Sequence, residues 1–279
     1  MKKIKKLLKK IVQLLKIKEM YAIPKIIDRE KLLKGKVALI TGGSGGIGIA
    51  IAKVFIESGC KVIITGTNEE KLKKVVKKLE NKKNLSYLVW DVKDIKVMSL
   101  KLEEALKKFE ERRIDILVNA AGVIAKQSFI ETTEEEYDNI MDINTKGTFF
   151  MSKTIGEYMI KNKIKGHILN ITSSSALRPA WTPYQMSKWA IRGFSLGLAD
   201  ILLPYGIIVN AIAPGPVATS MLGKDENGNI YNETSPNKRY ALPSEIAEMA
   251  LFLVSDLGNL IVGDTIYMTG GSGIISYHR

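Results

Sequence analysis

The chain has 279 residues, of which 46% are hydrophobic, and it contains 23 glycines and 8 prolines. A chain of this length and composition can bury a large core, which excludes an intrinsically disordered protein. One cysteine, Cys60, and two histidines, His167 and His278, exclude a disulfide framework and a His/Cys metal cluster with recognisable spacing. We therefore expect a cytoplasmic protein with no bound metal.

The formal net charge of +13 comes largely from the N-terminus, where the first eighteen residues contain eight lysines and no acidic residue. The other 34 basic and 29 acidic residues leave a net charge of +5. This remainder forms no basic stripe of the kind that nucleic-acid binding needs, so we expect no nucleic-acid partner.

The segment 1–18, MKKIKKLLKKIVQLLKIK, predicts a basic amphipathic helix. Its apolar residues at helical spacing are Ile4, Leu7, Leu8, Ile11, Leu14 and Leu15. Its apolar stretches are too short for a membrane span or a signal-peptide core. Three interpretations stay open: the helix lies on an anionic membrane surface, it packs on its own domain or a sister subunit, or it is a solvated tail. We assign residues 1–33 to this extension.

From Lys34 onward, short apolar runs alternate with longer amphipathic stretches, which is typical of β/α alternation. The runs are mostly apolar on both faces, as expected when helices cover both sides of a parallel sheet. The predicted strands are 36–41, 61–65, 85–90, 114–119, 167–172, 207–213 and 264–269. The predicted fold is α/β: a Rossmann-like, doubly wound parallel sheet of about seven strands in one domain, residues 34–279.

The first predicted strand leads directly into TGGSGGIG and then into a helical stretch. Glycines at such a turn let the backbone approach a pyrophosphate, and the helix N-terminus offers unpaired amides and a positive dipole end. Position at the first β/α junction favours a dinucleotide site over an ordinary tight turn. The cofactor-binding residues predicted here are Gly42, Ser44, Gly46, Ile47 and Gly48.

A tyrosine and a lysine one helical turn apart, Tyr184 and Lys188, occur in TPYQMSK. Residues at i and i+4 share a helix face and often only pack together. A nearby ammonium, however, favours the phenolate and lowers the pKa of a tyrosine, which is otherwise about 10. The pair therefore also fits a proton-transfer site.

Five motifs in order give residues 34–279 a resemblance to the short-chain dehydrogenase/reductase family, and within it to the 3-oxoacyl-[acyl-carrier-protein] reductases. They are TGGSGGIG, NAAG (119–122), INTKGTF with Asn144, YQMSK (184–188), and PGPVAT (214–219) with the LPSEIAEMALFLVSD stretch that follows. The resemblance implies reversible transfer of hydride between a nicotinamide cofactor and a carbonyl or alcohol substrate.

The resemblance also implies catalytic roles. Tyr184 is the general acid/base, Lys188 lowers its pKa and binds the nicotinamide ribose, and Asn144 holds a water in a proton relay. A serine polarises the carbonyl: TSSSA offers three, and Ser173 aligns with the end of the strand. The interval of 11 residues from Ser173 to Tyr184 is shorter than is usual in the family.

The end of the second strand bears on the choice of cofactor. An acid there would bind the adenosine ribose hydroxyls and select NAD, and VIITGTNEEKL has none at that place. The corresponding positions, Thr67 and Gly45, also lack the basic residue that many NADP-preferring relatives carry. We predict NADP, from the absent acid, with NAD as the alternative.

Asp91 would contact the adenine by resemblance, and an N-cap role is its alternative. Beyond the glycine turn, the resemblance assigns cofactor contacts to Thr67, Asp91, Val92, Asn119, Ala120, Gly122, Tyr184, Lys188, Pro214, Gly215, Val217 and Thr219.

Residues 216–242 occupy the place of the family's mobile lid, where substrate selection is expected. Their basic residues, with Arg178, either attract an anionic substrate or are ordinary surface charges. The resemblance implies a homodimer or homotetramer. Two other classes stay in view: a cofactor-binding regulator without turnover, and a membrane-recruited scaffold with the same fold.

Overall fold

The computed structural model of the chain describes residues 28–79, 83–124, 128–224 and 228–275. Seven strands form one sheet in the order β3-β2-β1-β4-β5-β6-β7, and all neighbouring strands are parallel. They are β1 (Val37–Thr41), β2 (Lys61–Gly66), β3 (Leu85–Val89), β4 (Ile116–Asn119), β5 (His167–Ile171), β6 (Ile208–Pro214) and β7 (Thr265–Met268). The predicted seven-stranded parallel sheet is confirmed.

Helices join the strands in the described part of the chain. They are α1 (Gly46–Glu57), α2 (Glu69–Lys78), α3 (Met98–Leu106), α4 (Glu134–Ile140), α5 (Thr148–Lys161), α6 (Pro183–Leu202) and α7 (Pro243–Val254). A π-helical segment, Met141–Gly147, connects α4 to α5. The strand order reverses between β1 and β4, and ligands of such sheets bind at this switch point, beyond the carboxyl ends of the strands.

Two apolar cores lie on opposite faces of the sheet, as the two-sided apolar strands predict. Ile40 of β1 joins the core with Phe55 of α1 and Leu251 of α7. Its neighbour Leu39 joins the other core with Met151 of α5. Adjacent strand residues point to opposite faces, so the fully buried β1 supplies both cores.

The start of α6 is fixed by its local sequence. The Thr182 hydroxyl accepts a hydrogen bond from the Gln185 amide, and Gln185 Oε1 accepts one from the Thr182 amide at 3.0 Å, which is a capping box. Pro183 occupies the first helical position, where its missing N–H costs nothing. This cap places Tyr184 in the first turn of the helix.

The described residues at the end of the N-terminal extension contact the domain. Leu33 is 1% exposed and belongs to the core, and its amide donates to Ser58 O at 2.9 Å. Arg29 is hydrogen-bonded to Glu248 of α7. Leu33, the last residue assigned to the extension, therefore packs with the domain. The predicted helix 1–18 lies outside the described residues, and within them no helix has the length and apolarity to cross a membrane.

Candidate active site

The glycine turn after β1 leaves no room for a side chain at Gly42. Gly42 has a φ of +64°, and a Cβ there would lie 2.7 Å from Ala121 Cα and 2.8 Å from Ala120 O. Gly46 begins α1, and the N-cap residue Gly45 offers no side chain to the first amides. A positive helix end with uncapped amides and a backbone that a ligand can approach fits the pyrophosphate of a dinucleotide.

Thr41 joins this turn to the NAAG segment at the end of β4. Its Oγ1 accepts hydrogen bonds from the amides of Ala120 and Ala121, both at 3.1 Å. Ala120 and Gly122 consequently lie at the pocket wall beside the glycine turn. Thr41 stands in the predicted motif but was not among the predicted site residues.

Asn119, a predicted cofactor contact, uses its side chain inside the protein. Its Nδ2 donates to Ser152 Oγ of α5 at 2.9 Å and to Asn170 Oδ1 of β5 at 2.8 Å. The side chain is 3% exposed. Asn119 therefore joins β4 to its neighbours, and its side chain does not line the pocket.

The end of β2 carries neutral groups. Ser44 Oγ of the glycine turn lies 3.6 Å from the position of a Cβ on Gly66, and Thr67 follows, exposed. The nearest acid in sequence, Glu69, accepts a hydrogen bond from Tyr87 at 3.1 Å and pairs with Lys73. The carboxylate of Glu69 is thus held on α2 and β3.

Asp91 and Val92 follow β3. Asp91 Oδ1 accepts from the Lys93 amide at 2.9 Å, which forms an Asx turn. The N-cap of the next helical turn is Asp94, so the alternative N-cap role of Asp91 is wrong. Val92 is buried and packs on Gly147. A Cβ added to Gly147 would lie 2.7 Å from Cγ2 of Val92.

Ser173 is the serine of TSSSA that lines the pocket. It follows β5 and caps a short 3₁₀ turn, Ser174–Leu177, by accepting from the Ser175 amide at 3.1 Å. Its hydroxyl also lies close enough to the Tyr184 phenol to lower the pKa of that group. The strand end and the first turn of α6 therefore bring the predicted serine and tyrosine together.

Lys188 lies one turn beyond Tyr184 on α6, with its Nζ 5.6 Å from the centre of the tyrosine ring. The Nζ donates to Ile171 O at the end of β5 at 3.1 Å, and the residue is buried. A Cβ on Gly122 would lie 3.6 Å from this Nζ. The ammonium therefore lies between the tyrosine and the NAAG turn.

Burial sets the protonation of this pair. It raises the pKa of Tyr184 above its usual value of 10, and the hydrogen bond with Ser173 lowers it by less. Burial also lowers the pKa of Lys188 to about 8. The net direction for the pKa of Tyr184 is therefore upward, because loss of hydration is the larger effect. That the Lys188 ammonium lowers this pKa stays a prediction.

Asn144 lies in the π-helical segment, a feature often found at functional sites. Its Nδ2 donates to Val123 O and to Ser187 Oγ, both at 3.0 Å, and its Oδ1 accepts from the Val123 amide at 2.9 Å. Both N–H groups are used, and Oδ1 keeps a second lone pair to which a relay water can donate, so the water relay stays a prediction. The side chain connects the NAAG turn to α6.

The segment that begins at the end of β6 forms another wall of the pocket. Pro214, Gly215, Val217 and Thr219 all line the pocket. The Gly215 amide donates to Met268 O at 2.9 Å. A Cβ on Gly46 would lie 2.6 Å from Thr219 Cγ2. The start of the lid segment therefore touches the glycine turn.

The basic residues of the lid region are bound to protein groups. Arg239 donates to both carboxylate oxygens of Glu245, at 2.8 and 2.6 Å. Lys238 donates to Glu233 O at 3.0 Å, and Arg178 donates to Ser272 Oγ at 2.8 Å. These contacts favour ordinary structural charges over an anion-attracting cluster.

The pocket gathers most of the predicted residues. Those at its wall are Ile47, Ala120, Gly122, Ser173, Tyr184, Lys188, Pro214, Gly215, Val217 and Thr219. Five further wall residues were not predicted, namely Ile124, Ile171, Thr172, Met221 and Leu222. Four of these five are apolar and belong to no polar motif, so no sequence pattern marks them as site residues.

Comparison with known proteins agrees with this arrangement. A model of the short chain dehydrogenase family matches residues 36–229. The chain is 36% identical over 250 residues to a 3-oxoacyl-[acyl-carrier-protein] reductase of Aquifex aeolicus, covering 86% of this chain and 98% of the relative. It is 35% identical over 248 residues to a 2-dehydro-3-deoxy-D-gluconate 5-dehydrogenase of Dickeya dadantii, covering 86% and 96%.

Solved structures are similar over the same range. A Brucella melitensis 3-ketoacyl-(acyl-carrier-protein) reductase complexed with NADH has a TM-score of 0.78 at 29% identity, covering 87% of this chain and all of that one. A variant actinorhodin polyketide ketoreductase with NADPH also has a TM-score of 0.78, at 27% identity, covering 86% and 98%. The chain belongs to the short-chain dehydrogenase family and is a nicotinamide-dependent oxidoreductase.

Proposed function

We propose that Tyr184 is the general acid in the reduction of a carbonyl group and the general base in the reverse oxidation of the alcohol. The observation that supports this most strongly is the meeting of the Ser173 hydroxyl, the Tyr184 phenol and the Lys188 ammonium in one pocket beside the glycine turn. The bound nicotinamide cofactor supplies the hydride or takes it up.

Each side chain has a distinct part. Burial raises the pKa of Tyr184, so the phenol keeps its proton at neutral pH and donates it to the carbonyl oxygen. Ser173, which lies beside Tyr184 at the pocket wall, orients the same oxygen. Lys188 would hold the nicotinamide ribose, and the amides at the start of α1 would hold the pyrophosphate. Asn144 positions α6 against the NAAG turn.

We infer that the preferred cofactor is NADP rather than NAD. The exposed Thr67 after β2 is neutral, and Glu69 is engaged with Tyr87 and Lys73. An acid free to bind the ribose hydroxyls is the feature that selects NAD, and neither position supplies it. Asp91 would contact the adenine with the carboxylate oxygen that does not cap the Lys93 amide.

The cofactor proposal is tested by titrating the purified protein with NADPH and with NADH while nicotinamide fluorescence is followed. Tighter binding of NADPH supports the inference, and tighter binding of NADH contradicts it. Turnover is then measured on a panel chosen from the names of the relatives: a 3-oxoacyl thioester, 2-dehydro-3-deoxy-D-gluconate and simple ketones. Binding without turnover on the whole panel favours a cofactor-binding regulator.

We infer that the enzyme is a homodimer or homotetramer that pairs through α5 and α6. Large apolar side chains are exposed on both helices, including Phe149 (45%), Leu196 (62%) and Ile201 (64%). Light scattering coupled to size exclusion tests this. The Leu196→Glu variant should shift to the monomer, and an unchanged mass would place the interface elsewhere.

We infer that the enzyme is cytoplasmic and that residues 1–18 bind an anionic membrane surface. The eight lysines and the apolar residues at helical spacing support this. Deletion of residues 1–20 should abolish sedimentation with phosphatidylglycerol vesicles while turnover continues. Binding that survives the deletion contradicts the inference. Loss of turnover with the deletion would instead favour a helix that packs on the domain.

A further inference from the structure

The chain between Ser173 and Tyr184 must bring two reacting groups together across only ten intervening residues. Ser173 lies on the strand side, and Tyr184 lies in the first turn of α6. The contact between the two side chains depends on how firmly this loop is held against α6. The contacts that hold it lie outside the catalytic motifs.

Arg192 makes one of these contacts from the same helix face. Tyr184, Lys188 and Arg192 follow each other at four-residue intervals and so form one row along α6. Arg192 Nη1 donates to Ala176 O at 3.1 Å, and the buried Ala176 donates its amide to Ser173 O at 3.0 Å. Two hydrogen bonds thus link Arg192 to the backbone of the serine.

Aromatic rings fix the guanidinium in this position. The Arg192 Cζ lies 5.1 Å from the centre of the Trp189 ring and 5.7 Å from that of Tyr267 on β7. A planar guanidinium between two rings loses little further freedom when it donates to a carbonyl. Arg192 is therefore an ordered donor.

Trp189 provides a second link to the same loop. Its indole Nε1 donates to Arg178 O at 2.8 Å, at the residue that follows the 3₁₀ turn. The Arg178 side chain in turn donates to Ser272 Oγ near the C-terminus. The loop is thus held at Ala176 and at Arg178 by neighbouring residues of α6.

We propose that Arg192, assisted by Trp189, is a positioning residue that holds the Ser173 turn against α6 and so keeps the Ser173 hydroxyl in contact with Tyr184. The proposal rests on the catalytic roles proposed above. Arg192 acts through Ala176 and touches neither substrate nor cofactor in this account. It is a role for a side chain that none of the recognised motifs includes.

Displacement of Ser173 should shift the pH dependence of kcat, which a simple loss of stability would not do. The Ser173 hydroxyl lowers the pKa of Tyr184, so a looser turn raises that pKa. The charged group beside the Tyr184 ring is Lys188, which the variants leave in place. The alkaline limb of kcat for carbonyl reduction should therefore move upward, and kcat should fall about tenfold.

The experiment compares pH profiles of kcat, KM and cofactor Kd in four variants. Arg192→Met removes the donor and keeps the stem, and Arg192→Lys keeps a cation that can donate once to Ala176 O. Trp189→Phe removes the Nε1 donor without changing any charge, which separates the loss of a hydrogen bond from the loss of a nearby positive charge. Arg29→Met, which removes an exposed ion pair with Glu248, is the matched control.

We expect Arg192→Met and Trp189→Phe to lower kcat and shift the alkaline limb upward, with cofactor Kd within twofold of wild type. Arg192→Lys should recover much of the loss, and Arg29→Met should match wild type. An unshifted profile in both Arg192→Met and Trp189→Phe overturns the proposal. Turnover in Tyr184→Phe would overturn the proposed function itself, so the two failures are distinguishable.

Discussion

The side chains of Asn144 and Ser187 are hydrogen-bonded to each other, Nδ2 to Oγ at 3.0 Å, and both residues are buried. Ser187 Oγ also donates to Tyr184 O at 2.7 Å. Asn144 holds Val123 through two further hydrogen bonds. The pair therefore fixes the first turn of α6, and with it the tyrosine, relative to the NAAG turn.

Replacing Ser187 by alanine tests this connection against a closely matched control. Ser195 on the same helix also accepts from an asparagine, Asn170 Nδ2 at 2.9 Å, and donates to a main-chain carbonyl. Each Ser→Ala change leaves a buried N–H unpaired and should cost about 1–3 kcal/mol of unfolding free energy. We expect kcat to fall several-fold only in Ser187→Ala. Equal kcat losses in the two variants would show that the effect is general destabilisation.

The contact between Gly46 and Thr219 predicts a rescue. Gly46→Ala would bring its Cβ to 2.6 Å from Thr219 Cγ2 and 3.0 Å from Thr219 Cβ, so we expect the Kd for the cofactor to rise about tenfold or more. Serine lacks the Cγ2 methyl, so adding Thr219→Ser should restore part of the affinity. The measurement is fluorescence titration of both variants and of Thr219→Ser alone. Additive losses without rescue would mean that the contact is absent in solution.

The buried Lys188 should lower the stability of the fold while it is needed for turnover. Burial lowers the pKa of Lys188 from the usual 10.5 to about 8. At neutral pH, keeping the buried amine charged therefore lowers the free energy of unfolding by roughly 3 kcal/mol. Lys188→Met removes that cost, so its melting temperature at pH 7 should exceed that of wild type by a few degrees while turnover is lost. Between pH 8 and 10.5 the unfolded wild-type chain binds more protons than the folded one, so wild-type stability rises with pH and the gap narrows. A melting temperature of Lys188→Met below that of wild type would contradict the claim that the buried charge of Lys188 lowers stability.

His167 should make the protein sensitive to acid. Burial lowers its pKa below 6.5, and its Nε2 donates to Asn259 Oδ1 at 3.1 Å. As pH falls below 6.5, the unfolded chain takes up a proton that the folded chain resists, so stability decreases. Glutamine keeps an amide donor and does not titrate. Thermal melts of wild type and His167→Gln from pH 7 to 5 should therefore diverge, with wild type losing more; parallel curves would exclude His167 as the cause.

The sheet could be predicted because its information is local. Apolar runs of four to seven residues, such as 61–65, needed only two-sided burial to be recognised, and all seven strands followed. The glycine turn could be predicted equally well, because Gly42 has the positive φ that only glycine readily adopts. The burial of Leu33 could not be recognised in this way, because Leu33 precedes the first strand and is buried only by packing with the core that includes α1 and α7.

Effects that depend on distant packing could not be predicted. The upward direction of the Tyr184 pKa comes from burial by several elements, whereas the Tyr184–Lys188 spacing suggests the opposite. The Asn144 side chain donates its N–H groups to Val123 O and Ser187 Oγ, which lie 21 and 43 residues away in sequence. Arg192 belongs to no motif, and its importance appears only through Ala176 O.

The most direct test of the account is turnover and cofactor affinity of Tyr184→Phe, measured beside Tyr158→Phe. Tyr158 donates its hydroxyl to Arg112 O, away from the pocket, and serves as the control. Removal of a general acid/base typically costs 10² to 10⁴ in rate, so we predict a loss of that size in Tyr184→Phe with cofactor Kd within a few fold of wild type. A Tyr184→Phe enzyme that turned over like Tyr158→Phe would contradict the proposed mechanism.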